Sequence, residues 1–103
     1  MAYCQIYENP DATPEAFEAV NAHVRASGTF PPEEQLLIIA GPADPGWRVI
    51  TVWDSVQACE RFNAERLEPA LREAGVRVDR MTRKFYEVHT LIAGDLTGTP
   101  QPV

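Results

Sequence analysis

The chain has 103 residues, 15 of them acidic and 9 basic, for a net charge of −6, with 45% hydrophobic and 23% charged content. This describes one globular domain near the lower end of the usual size range and argues against disorder. Affinity for nucleic acid is carried by Lys and Arg on phosphates. Here there is one Lys, and the cluster Arg77, Arg80, Arg83, Lys84 is interrupted by Asp79, so no nucleic-acid partner is expected.

The longest apolar run, Leu36 to Ala40, falls far short of the ~20 residues a membrane span needs. Met1-Ala2-Tyr3-Cys4 has no basic region ahead of an apolar one, so no signal peptide is expected either. Cys4 and Cys59 belong to no CxxC pair or metal-ligand cluster. They are read as two buried, reduced thiols of a cytoplasmic protein, a disulfide being the lesser alternative. His23 and His89 lack a Cys or carboxylate motif nearby, and no metal site is expected.

Along the chain, Tyr3 to Glu8 reads as a first strand, broken by Asn9-Pro10-Asp11-Ala12. Thr13-Pro14-Glu15 is a helix start, with Thr as N-cap, Pro in the first turn and an acid behind it. Phe17, Val20 and Val24 then share one helical face, and Gly28 ends the run. Gln35 to Ala40 is an apolar run of strand length, and Trp47 to Trp53 is rich in β-branched and aromatic residues. Gly41-Pro42-Ala43-Asp44-Pro45-Gly46 between them is a turn, so the two strands form an antiparallel hairpin.

Asp54-Ser55 caps the second helix, with Asp54 and Gln57 at capping-box spacing. Ala58, Cys59 and Phe62 form its apolar stripe. Pro69 breaks it, and Leu67, Ala70, Leu71 and Ala74 resume helical spacing, so the helix is expected in two pieces. Lys84 to Leu91 reads as the last strand. Residues 1–93 form the domain and 94–103 an irregular tail.

The order βαββαβ is that of an α+β, ferredoxin-like plait with a four-stranded antiparallel sheet. Handedness puts both crossover helices on one face of the sheet. The strands are nonetheless apolar on both faces, where a solvated sheet face would alternate with polar residues. The simplest cover for the bare face is a second copy of the same sheet, and a homodimer is expected.

Gly41-Pro42, the run Gly46-Trp47-Arg48-Val49-Ile50-Thr51-Val52-Trp53-Asp54-Ser55, the helix with Phe62, Leu67, Pro69, Ala70, Leu71 and Gly75, and the final Tyr86-Glu87-Val88-His89 carry a resemblance. In this order they resemble the dimeric α/β-barrel superfamily, and within it the antibiotic-biosynthesis-monooxygenase-like proteins of actinobacteria. The resemblance covers Tyr3 to about Leu91 and is specific for fold, while the reactions of such proteins vary. They include cofactor-free monooxygenases of aromatic polyketides, cyclases, isomerases, heme degraders and simple binders, with a cavity between sheet and helices. The heme degraders' pattern is met only by Asn9 and Trp53, because Glu65 to Ala74 contains no His to serve as axial ligand. No metal, heme or nicotinamide cofactor is therefore expected. The His that close relatives carry in the second strand is replaced here by Ile38 or Ile39.

By that resemblance Trp53 lines the cavity, where an indole offers a flat wall and one N–H; otherwise it is a packed core tryptophan. Asn21 falls among Phe17, Val20 and Val24, and either meets a ligand or bonds at a helix margin. His89 is the candidate proton carrier, or a histidine bonded across the dimer interface. Tyr3, Gln5 and Tyr7 share a strand face that suits a pocket wall, and Phe62 adds a further aromatic. Arg48 either orients an anionic substrate or pairs with Glu87. No nucleophile triad, phosphate loop or dinucleotide fingerprint is present. The expected function is cofactor-independent oxygenation, cyclisation or isomerisation of an aromatic or polyketide-like metabolite, the alternative being a non-catalytic small-molecule binder.

Overall fold

The computed structural model describes residues 1–94, so that beyond Gly94 the expected irregular tail lies outside the described residues. Four strands, β1 (Tyr3–Asn9), β2 (Gln35–Pro42), β3 (Trp47–Trp53) and β4 (Thr82–Glu87), alternate with two helical stretches. The first is α1 (Pro14–Ala26). The second runs through α2 (Val56–Phe62), a π-helical turn (Asn63–Leu67) and α3 (Glu68–Glu73). The sheet order is β2-β3-β1-β4 with every neighbouring pair antiparallel. This is the α+β, ferredoxin-like plait that the element order implied.

Local chemistry sets the helix starts. Thr13 Oγ1 accepts the Ala16 amide at 3.1 Å, with Pro14 in the first turn where its missing N–H costs nothing. At the second helix the cap is Ser55, whose Oγ accepts the Ala58 amide at 3.1 Å, and not Asp54 as the spacing suggested. Asp54 instead donates its own amide to the Glu34 carbonyl at 2.9 Å and so closes the sheet edge.

Pro69 does not divide the helix. The Glu68 amide reaches back five residues to the Asn63 carbonyl, which is the π pattern. The wider turn starts a fresh first turn around Pro69, where its lack of a donor is harmless. Both Asn63 and Leu67 point inward from it.

Both helical stretches cover one sheet face. Val20 and Val24 of α1 pack with Leu67, Ala70 and Leu71, and Tyr7, Phe30 and Met81 close around them. Burying each of these aliphatic side chains is worth roughly 1.5–3 kcal/mol. The register fixes which strand residues meet the helices: Tyr3, Gln5, Tyr7 and Asn9 stand opposite Trp53, Thr51, Val49 and Trp47. A bulge between Gln35 and Leu37 turns Gln35 in beside Trp53, so the run read as apolar begins with a buried amide.

The other face carries Cys4, Ile6, Leu37, Ile39, Ile50, Val52 and Tyr86, with no helix over it. Ile39 and Tyr86 are about half exposed. Cys4 belongs to this face and is half-buried rather than buried. Cys59 is buried beneath α2, and both thiols are free.

Candidate functional site

Between sheet and helices lies a small chamber of about 30 Å³. Its floor is Gln5, Thr51, Trp53 and Gln35, its roof Asn21, Phe62, Asn63 and Leu67, and Tyr7, Phe17 and Phe30 are among its sides. A space of this size takes about one or two waters.

The floor and roof are joined by amides. Asn63 Nδ2 donates to Gln5 Oε1 at 2.7 Å, and the Cys59 thiol donates to the same oxygen at 3.5 Å. Turning the Asn63 amide alone would set two carbonyl oxygens face to face, so the pair keeps this orientation. Trp53 Nε1 donates to Thr51 Oγ1 at 2.9 Å, which fixes the indole at the chamber wall. Two acceptors remain open: Asn63 Oδ1 and Gln35 Oε1 are buried without a partner. Each costs about 1–3 kcal/mol while unsatisfied, and such groups are rare enough to need an explanation.

The chamber is uncharged. Among the described residues, no Asp, Glu, His, Lys or Arg lines it. Burial pushes the Tyr7 phenol up to about 12, the Arg83 charge offsetting part of the effect. Burial likewise pushes the Cys59 thiol up to about 11. Both are neutral at pH 7, so the walls exchange hydrogen bonds and hold no group that titrates near neutrality.

Outside it, Pro32, Glu33, Glu34, Arg61, Glu65 and Arg66 border an open groove of about 350 Å³. Trp53 and Phe62 line both spaces, their rings 5.1 Å apart and tilted by 46°. Arg66 braces this partition. Its guanidinium lies 5.3 Å over the Phe62 ring and donates to the Val24 and Thr29 carbonyls at 2.8 and 2.7 Å and to Ser27 Oγ at 3.0 Å. It thereby satisfies the end of α1 and ties that end to the π turn.

Of the residues singled out from sequence, Asn21, Trp53, Phe62 and Tyr7 come together in the chamber. Tyr3 shares their sheet face but stacks on Phe85 at 5.9 Å and does not line it. Arg48 faces the helix-free side and binds Glu8 at 2.8 Å, because the register sets Glu8 opposite it; Glu87, its expected partner, stands opposite Tyr3. His89 is not in a strand. β1 begins at Tyr3, so the ladder ends with β4 at Glu87 and the Val88 amide on the Ala2 carbonyl. His89 is exposed, with Nδ1 2.6 Å from Thr90 Oγ1, and borders neither space. Within one subunit it stands apart from this chamber. His23 is exposed on α1, as its position off the apolar stripe implied.

Asn63 and Gln35 were not singled out. Cys59, Asn63 and Leu67 recur at four-residue spacing, the same phase signal that flagged Asn21. Gln35 gave no such signal, since its inward turn depends on the bulge.

No family model and no curated protein matches the sequence. Solved structures do match. Rv0793 of Mycobacterium tuberculosis is 12% identical, with a TM-score of 0.63 over 90% of this chain and 100% of that one. A protein of Deinococcus radiodurans assigned as an antibiotic biosynthesis monooxygenase is 20% identical, with a TM-score of 0.55 over 92% and 99%. SnoaB, a cofactor-independent oxygenase of Streptomyces nogalater, is 15% identical, with a TM-score of 0.59 over 90% and 97%. At such identities the likeness is one of fold. The chain shares the fold of the antibiotic-biosynthesis-monooxygenase-like proteins, as its residues implied.

Proposed function

We propose that the chain is a small-molecule enzyme that acts, without a bound cofactor, on a planar hydroxyaromatic or polyketide-like metabolite, oxygenation being the leading reaction and cyclisation or isomerisation the others. One observation carries this reading: Asn63 Oδ1 and Gln35 Oε1 are open acceptors in a chamber walled by Trp53 and Phe62. Open acceptors select O–H donors, and the aromatic walls select a flat ring. The ring lies in the outer groove, whose volume falls within the range of small-molecule sites. Its hydroxyl reaches past Phe62 to the amides.

An amide accepting from a phenol or enol O–H leaves the ring richer in electrons. Such a ring can react with dioxygen itself: the ring C–H para to the hydroxyl becomes C=O, the hydroxyl carbon becomes the second C=O, and the other oxygen atom leaves as water with the ring hydrogen and the hydroxyl hydrogen. SnoaB supports the choice of oxygenation, as a cofactor-independent oxygenase of the same fold.

The uncharged chamber favours a second reading, a non-catalytic binder of the same molecules, because no nearby base would help a weakly acidic substrate. An oxygen electrode separates the two. With a naphthalenediol as probe and a metal chelator present, saturable dioxygen uptake supports the enzyme. Saturable binding with no uptake and no altered product identifies the binder.

Asn21 provides a further check. Asn21→Leu should leave the melting temperature unchanged or raise it, while weakening naphthalenediol binding several-fold, by about the 1 kcal/mol of one hydrogen bond. A lowered melting temperature with unchanged binding would make Asn21 a structural residue instead.

The working form we infer is a homodimer joined through the helix-free sheet face, because Ile6, Leu37, Ile39, Ile50, Val52 and Tyr86 make a continuous apolar area there, with Glu8, Arg48 and Lys84 toward one end. The two unpaired cysteines fit a cytoplasmic location. Among the described residues no helix is long and apolar enough to cross a membrane.

A further inference from the structure

A second small chamber, also about 30 Å³, lies toward the Asn9–Trp47 end of the sheet, walled by buried Val20, Val49 and Leu71 and by half-buried Tyr7, Phe17 and Met81. Tyr7, Phe17 and Val20 line both chambers and form the wall between them. The character of the second is different. Ala12, Ala16, Val49, Leu71, Val76 and Met81 also line it. Asn9, its amide, is fully occupied elsewhere: Nδ2 donates to the Arg77 carbonyl at 2.7 Å and Oδ1 accepts the Asp11 amide at 3.0 Å. The Trp47 indole packs on Phe17 at 5.2 Å, and its N–H is buried without an acceptor.

Size and polarity together limit the occupant. The space is too small for an aromatic ring and large enough for one diatomic molecule or one water. A buried water is held by two to four partners. Here it would find the Trp47 N–H and at best the Tyr7 hydroxyl, the low end of that range. Apolar cavities of proteins stay dry and take up uncharged gases such as xenon.

We propose that this chamber is a holding site for dioxygen, which passes through the Tyr7–Phe17–Val20 wall to the substrate beside Asn63. The role as a co-substrate store rests on the oxygenase reading above; the gas site itself rests only on the shape and chemistry of the chamber. A separate store matters because dioxygen favours hydrocarbon over water, and the first chamber holds the open amide oxygens that a hydroxyl or a water would occupy.

The test uses xenon on the whole chain, by pressurised crystals or xenon NMR, followed by dioxygen kinetics with a naphthalenediol. One xenon should sit among Ala16, Val49 and Met81. Ala16→Leu, which fills the space, should abolish it and raise KM for dioxygen about fivefold or more while leaving KM for the diol within twofold. Val76→Leu is the second filling variant should Ala16→Leu fail to fold. An ordered water on the Trp47 N–H with no xenon uptake would overturn the gas site. Xenon uptake with an unchanged KM for dioxygen in a folded filling variant would overturn its role. Absence of dioxygen uptake by the wild type would sink the oxygenase reading and the storage role together, whatever xenon does.

Discussion

Gly46→Ala is expected to cost about 3 kcal/mol or more, among the largest losses a single methyl group can cause in this chain. Gly46 has φ +92°, a region that L side chains rarely adopt. Its carbonyl accepts the Ala43 amide at 2.9 Å and closes the β2–β3 hairpin. An added Cβ would collide with the Asn9 carbonyl oxygen and the Pro10 Cα. Both are backbone atoms at the end of β1, and Asn9 is pinned by its bonds to Arg77 and Asp11. Neither can step aside without opening the Asn9–Trp47 pairing. For a domain of this size each kcal/mol moves the melting temperature by about 4–8 °C, so a fall of about 12 °C or more is expected. Gly41→Ala is the control, because nothing lies within 4 Å of its Cβ position, and it should melt close to the wild type. Equal melting temperatures for the two variants would refute the close packing of the hairpin on β1.

The second large effect concerns association. Ile50 lies on the helix-free face, between Ile6 of β1 and Ile39 of β2. In a symmetric sheet-to-sheet dimer each substitution appears twice. Ile50→Glu would then bury two unpaired carboxylates, each costing several kcal/mol unless it leaves for water. Sedimentation at micromolar concentration should give a dimer for the wild type and a monomer, or aggregate, for Ile50→Glu. A wild-type monomer under those conditions would end the dimer proposal. So would an Ile50→Glu protein that remains a dimer.

Much of the architecture was legible because it rests on local rules. Alternation in β1 and β3, the Thr13 cap and the Gly-Pro turn each have one physical solution, and their order admits one common plait. Half of the chamber was legible by the same logic, through the phase of Asn21 and the position of Trp53 at a strand end. The rest depended on pairings that sequence does not carry. Arg48 meets Glu8 only through the β1–β3 register. Gln35 turns inward only through a bulge. Asn63 owes its place to a π turn, and Pro69 masked that turn by arguing for a break. His89 went astray because the length of β4 is set by where β1 begins, and not by its own residues.

The central claim is that the amide-lined chamber receives the hydroxyl of an aromatic ligand. Calorimetric titration of the wild type and of Asn63→Ala with a naphthalenediol tests it most directly, with circular dichroism to verify that both are folded. Asn63→Ala removes the open acceptor together with the Asn63 bond to Gln5, and changes neither ring of the Trp53–Phe62 pair. Saturable binding to the wild type, weakened about tenfold in the variant, is the predicted result. Equal affinity in the two folded proteins would contradict the claim, as would a wild type that does not bind the diol at all.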